Sequence, residues 1–321
     1  MRKIIILSIL SILFISGCVE MPEAFKGIFP GMEGTEVKEL PPDVIVIQNI
    51  NVLPNPPVNS GDQFSVSFEV KNQEEAREVP EMYIQLFDYG LCTPQIDTTE
   101  WEPQADGISY KKDYKNFAPL QTEFVEWTFT APSTDIIGNL PTECPIRFKV
   151  SYKFTSLSRV NVDVISKERL QQIQRSGNVS TFTPTVSVGR GPIKIYFSFG
   201  ASLPIRTSST GFESILPVFI SIEDKGTGLL SNIPAGKLSI KYPKEFTIKS
   251  YDKFDCSDNI CTNNVEIPMI KKKSPPLRLS FIMPTNDTVP VERTFFISAE
   301  LNYTYDITGE TNVEVKPILM K

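Results

Sequence analysis

The sequence predicts an all-β protein of two tandem β-sandwiches with a short connecting helix. Three observations carry this. Apolar and polar residues alternate with period two along most of the chain. Its 26 prolines and 17 glycines cut the alternation into short segments. One order of strands also occurs twice.

The first strand of the repeat is Phe64, Val66, Phe68 and Val70, matched by Val218, Ile220 and Ile222. Each ends in a polar turn, Lys71-Asn72-Gln73 in one copy and Glu223-Asp224-Lys225-Gly226 in the other. Next, Trp127-Thr128-Phe129-Thr130-Ala131-Pro132 matches Leu279-Ser280-Phe281-Ile282-Met283-Pro284. The segment 148–154 then matches 299–305, and 160–164 matches 311–315. Each copy carries about seven alternating strands, the number an immunoglobulin-like sandwich needs. The expected domains are two tandem immunoglobulin-like β-sandwiches at 44–165 and 192–321. Between them, 166–191 is a connector. Its helix runs over 166–175, with Ser166 as cap and Gly177 as stop, and 181–188 offers an extra edge strand.

The run from Val58 through Gly61, Phe64, Val66, Phe68 and Val70 to Asn72 resembles the opening of a CARDB-type (cell-adhesion-related) domain. Glu126 to Pro132 resembles that family's middle strand. The glycine usual soon after the asparagine is replaced by Gln73-Glu74-Glu75. The resemblance spans about residues 44–165. It implies an immunoglobulin-like fold on surface and secreted proteins, with no activity attached.

The N-terminus directs export. Arg2 and Lys3 precede an apolar run from Ile4 to Ile15, too short to span a bilayer as a helix. Ile15-Ser16-Gly17-Cys18 then resembles the lipobox of a lipoprotein signal peptide. Residues 1–17 are the expected signal peptide, Cys18 the lipid attachment site, and 18–43 a flexible tether rich in Pro and Gly. The expected location is the extracytoplasmic face of the cell membrane.

With Cys18 lipidated, Cys92, Cys144, Cys256 and Cys261 remain. An even number in an exported chain implies disulfides, and four thiols allow three pairings. Cys92 follows the third strand of the first sandwich and Cys144 precedes the sixth. In this fold those strands are antiparallel neighbours, which favours Cys92–Cys144 and leaves Cys256–Cys261 to close a short loop.

Composition removes several functions. Histidine is absent, and with it the commonest general base and transition-metal ligand. Loss of Arg2 and Lys3 leaves 30 basic residues against 38 acidic ones, a net charge of −8. That charge opposes nucleic-acid binding. Asp252, Asp255, Asp258 and Asn259 crowd one loop without EF-hand spacing. Glu223 to Gly228 has glycines but no phosphate-loop context, and Lys271-Lys272-Lys273 reads as a solvated loop. No metal or cofactor is expected. Asn178, Asn286 and Asn302 begin N-glycosylation triplets. Trp127 reads as core. Trp101, between Glu100 and Glu102, is the candidate exposed contact of a recognition surface. The expected function is a non-enzymatic surface protein that binds another protein or a glycan. The alternative is a carboxylate-dependent surface hydrolase.

Overall fold

The computed structural model describes residues 42–176, 185–201, 203–209 and 211–318. The first copy contains β1 (Ile45–Leu53), β2 (Val58–Asn59), β3 (Gln63–Asn72), β4 (Val79–Asp88), β5 (Thr93–Gln95), β6 (Glu102–Pro103), β7 (Tyr110–Phe117) and β8 (Thr122–Thr130). A turn of helix, α1 (Thr134–Ile137), leads into β9 (Thr142–Ile165), and α2 (Lys167–Ser176) follows. The second copy contains β10 (Val186–Val188), β11 (Ile193–Phe199), β12 (Ile205–Arg206), β13 (Ile215–Asp224), β14 (Asn232–Ile233), β15 (Leu238–Lys241) and β16 (Thr247–Tyr251). It closes with β17 (Phe254–Ser257), β18 (Ile260–Asn263), β19 (Ile267–Pro268), β20 (Leu277–Ile282) and β21 (Glu292–Lys316). The protein is all-β, as the alternation requires.

Two four-stranded sheets, β1-β3-β8-β5 and β11-β13-β20-β16, hold equivalent positions in the two copies. The repeat is accurate in register. Val66 lies opposite Trp127, and Val218 opposite Leu279. Both small sheets pack on one large sheet that runs through the molecule in the order β17-β18-β15-β21-β9-β4-β7-β6. The even residues of β9 from Cys144 to Val164 are all buried, so both sandwiches close on the same face of that sheet.

The strands depart from the expected partition in one respect. β9 and β21 pair without a break from Thr142↔Val315 to Ile165↔Glu292. The first half of β9 continues against β4, while its second half carries β10 and β12 of the other sandwich. In β21 the first half pairs with β15 and the last residues with β2. Residues after about 155 thus lie in the second sandwich, and those after about 306 in the first, so each copy lends half a strand to the other. A boundary at 165 or 191 cuts through shared structure. The 24 residues of β9 make a ladder about 80 Å long.

Lys153 lies opposite Thr304, its own counterpart in the repeat, so an approximate twofold axis passes through this pair. Around it Tyr152, Phe154, Tyr303 and Tyr305 form a buried aromatic seam. Burial pushes the Tyr152, Tyr303 and Tyr305 hydroxyls well above the usual tyrosine range. At Tyr305 the hydrogen bond it donates to Asp224, and that carboxylate's charge, add to the effect.

The polar turns of the repeat tie the seam. Asn72 Oδ1 accepts the Glu74 N–H at 2.9 Å, and Asp224 Oδ1 accepts the Gly226 N–H at 3.0 Å. The Gly226-Thr227-Gly228 turn enters between the sandwiches, where the Thr227 N–H donates to both oxygens of Asp43 at 3.2 and 3.1 Å. A Cβ on Gly226 would lie 2.3 Å from Asp43 Oδ1 and from the Tyr305 hydroxyl, so no larger residue fits. On the opposite side of the seam, Arg77 and Arg190 both pair with the buried Glu74.

Of the expected connector, residues 166–176 and 185–191 are described. The Arg169 N–H donates to Ser166 Oγ at 3.2 Å, capping α2, and β10 is the extra edge strand. Gly177 and residues 181–184 lie outside the described residues.

Candidate binding face

The large sheet buries one face and presents the other to solvent. Alternation places Arg147, Lys149, Ser151, Lys153 and Thr155 of β9 on the outer face, opposite Glu310, Thr308, Asp306, Thr304 and Asn302 of β21. These side chains pair across the strands. Arg147 Nε meets Glu310 at 3.4 Å, and its Nη1 meets Asp88 at 2.9 Å. Thr155 donates to Asn302 Oδ1 at 2.6 Å, and Ser151 donates to Asp306. Here Ser151 and Asn302 occupy equivalent positions, as do Thr155 and Asp306, so the same kind of bond recurs on either side of the axis.

Two adjacent hollows meet at the axis and share Tyr83, Lys153 and Thr304. The larger, about 530 Å³, is lined by Arg77, Lys237, Asn302 and Asp306 among others. Into the smaller, about 470 Å³, come Glu81, Lys111, Asp113 and Lys115. Lys111 Nζ sits 4.5 Å from the centre of the Tyr83 ring and Lys149 Nζ 5.7 Å from it. Lys153 Nζ pairs with Glu81 at 2.5 Å. The floor is sheet, the walls are long polar side chains, and cations surround one aromatic ring. Such a surface suits hydrogen-bonding, anionic or carbohydrate groups laid across it. Sequence reasoning missed Tyr83 and Lys153. Each looks like an ordinary exposed strand residue until the ladder brings them together.

The residues singled out in the sequence fall as follows. Cys92 pairs with Cys144, with a Cα separation of 5.9 Å, and Cys256 with Cys261. β4 and β9 are the antiparallel neighbours that the first pairing requires. Trp101 corrects the expectation of an exposed contact. It is only 6% exposed and packs edge-on against Trp127, with ring centres 5.2 Å apart. Its charged neighbours lie outward, and the loop folds its ring back over the open end of the core. Asn302 is exposed, on the rim of the larger hollow. Half-buried Asn286 accepts the Thr207 hydroxyl and donates to Glu168 at 3.4 Å. Cys18 and Asn178 lie outside the described residues.

Asp255 accepts from Asn264 at 3.0 Å. Among the described residues no three carboxylates or thiolates gather as a metal site. Lys272 reaches the Gly226 carbonyl at 2.6 Å and Lys273 pairs with Glu223 at 2.9 Å. This basic run therefore braces the seam turn.

No protein-family model matches the sequence, and no curated protein matches it either. The CARDB resemblance therefore rests on the quoted residues alone. Among solved structures, the major pilin subunit of Bacillus cereus aligns with 75% of this chain at 9% identity and a TM-score of 0.27. The match spans 56% of the pilin chain. A partial N-terminal region of the enterococcal surface protein aligns with 83% of this chain and 93% of its own, at 7% identity and a TM-score of 0.21. A chitinase from Bacillus thuringiensis aligns with 74% of this chain and 26% of its own, at 16% identity and a TM-score of 0.19. At these TM-scores nothing about ligand or activity transfers to this chain.

Proposed function

We propose that this is an exported, non-enzymatic structural or recognition protein of the cell surface, held to the outer face of a membrane by a lipid on Cys18. The observation that carries the reading is the pair of disulfides, which form and persist in oxidising compartments outside the cytosol. The lipobox at 15–18 supplies the anchor, and the CARDB-like strand pattern suits a surface domain. The outer face around Tyr83 and Lys153 is where a protein or glycan partner would rest.

The buried acids argue against a hydrolase. Asp43 and Asp224 accept backbone N–H groups, and Glu74 is held by two arginines. All three serve the frame, whereas a glycosidase needs two acids facing one cleft across a substrate.

Fractionation tests the anchor. Wild type should sediment with membranes through a high-salt wash, and Cys18→Ser should be released or fail to mature. A Cys18→Ser protein that stays fully bound would overturn the reading.

A further inference from the structure

The two halves of the long ladder have unequal edges. In the second sandwich β10 covers the outer edge of β9. Gly189 N–H donates to the Leu157 carbonyl at 2.7 Å, Ser187 lies opposite Arg159, and Asn161 N–H donates to the Thr185 carbonyl at 3.3 Å. The equivalents of Leu157, Arg159 and Asn161 in β21 are Thr308, Glu310 and Asn312. These three must turn their N–H and C=O groups to the outer edge. The parity is fixed on both sides of them, by the mutual bonds of Leu229 with Asp306 at 2.8 and 3.3 Å and by Ser60 N–H on the Lys316 carbonyl at 2.8 Å. Among the described residues no strand pairs with this stretch. The first sandwich thus has an open slot with the footprint that β10 fills in the second.

The geometry points to this slot as the docking site for a basic β-strand of another protein, added antiparallel to β21 between Asp306 and Val315. The outward side chains choose the partner. Along the slot they are Asp306, Thr308, Glu310, Asn312 and Glu314, three acids and no base; Arg147 of β9 meets Glu310 at 3.4 Å and Lys316 meets Glu314 at 3.7 Å, and the Glu310 side chain stays 73% exposed beside its partner. An incoming strand with Lys or Arg on that face would meet carboxylates across the pairing. Its other face would carry small apolar residues, as Val186 and Val188 do on β10. A second copy of this edge is disfavoured, since pairing about Glu310 sets Glu310 against itself and Asp306 against Glu314. Lys38-Glu39-Leu40, at the distance before β1 that β10 keeps before β11, would in that register set Glu39 against Glu310. This inference adds an edge to the recognition reading and stands separately from it, because strand addition does not depend on where the protein resides.

The test uses the full chain and a capped peptide, Lys-Val-Lys-Val-Lys-Val-Lys, beside its counterpart with Glu for Lys. Binding is followed by fluorescence anisotropy and by amide hydrogen exchange over 306–315. The basic peptide should bind and slow exchange at Thr308, Glu310 and Asn312, and the acidic one should not. Asn312→Pro removes an edge donor and leaves the pairing with β9 intact, so it should abolish binding. Glu310→Lys at an exposed position, with Glu314→Lys at a half-buried one, should weaken the basic peptide about tenfold and favour the acidic one. Absence of binding, or binding indifferent to both variants, overturns the proposal. Slow exchange at these amides without peptide overturns it too, through the chain's own residues if protection is independent of concentration and through a second copy if it rises with it.

Discussion

The two sandwiches close the same joint by different means. In the first, Cys92 before β5 is bonded to Cys144 at the start of β9. In the second, the equivalent residues before β16 and in β21 are Phe246 and Phe295, whose rings meet at 5.0 Å. One fold thus tolerates a covalent link or an aromatic contact at the point where the small sheet meets the large one. The difference lies in what each depends on, a redox state in one case and apolar area in the other.

The largest effect should come from the covalent joint. Cys92→Ala with Cys144→Ala should lower stability by about 4 kcal/mol on the chain-entropy account of a loop this long. The loss should be reproduced in the wild type by reductant in a denaturant titration. Phe246→Ala should cost about 3 kcal/mol by opening a cavity, with no added sensitivity to reductant. If its loss grows under reduction, the two joints are not independent. Trp101→Ala belongs with these core changes and should also cost about 3 kcal/mol. A cost near zero would return Trp101 to the surface.

The paired turns sharpen the comparison. Asn72 donates to the carbonyls of Phe117 and Ala118 at 3.2 and 3.0 Å, whereas Asp224 accepts from Gly226, Leu230 and Tyr305. Asn72→Asp would therefore set a buried charge against carbonyls and cost about 3 kcal/mol, while Asp224→Asn should cost about half that. Equal losses would mean that the two turns are interchangeable.

Alkaline pH tests the seam between them. Tyr152, Tyr303 and Tyr305 have folded-state pKa values raised by burial above the unfolded value of about 10. The stability they supply is fully present below that value and falls as pH rises past it, because the unfolded chain releases those protons first. Unfolding free energy should decline above pH ~10, and less steeply in Tyr305→Phe. The smallest structural effect should be that of Tyr83→Ala on the outer face. It should shift stability by less than about 0.5 kcal/mol while weakening capture of a partner from membranes.

Much of this was legible in the residues. Marks such as Trp127 and Leu279 recur in register because each must fill the same inward position. The cysteines are similarly constrained, since only neighbouring strands bring two thiols together. The exchange of half-strands was not legible. Burial alternates from Cys144 to Val164, but in the sequence Ser156-Leu157-Ser158 interrupts the apolar pattern, so one strand reads as two, and period two records which face is buried without recording which sheet covers it. Trp101 misled because adjacent charges describe the loop's backbone path and not the direction of one ring. Tyr83 and Lys153 are far apart in sequence, and only the register of β4 on β9 makes them neighbours.

Asp43 has a mechanical consequence. Asp43 lies next to the first described residue, and it is clamped to Thr227 beside Tyr305, one residue from the midpoint of the ladder. A force applied to the body at residue 42 would therefore act at its waist, like the pivot of a balance beam. Each arm extends about 40 Å from the pivot. A load on either tip becomes a torque about the seam, and a pull applied at residue 42 reaches the Asp43–Thr227 clamp before any strand of the cores.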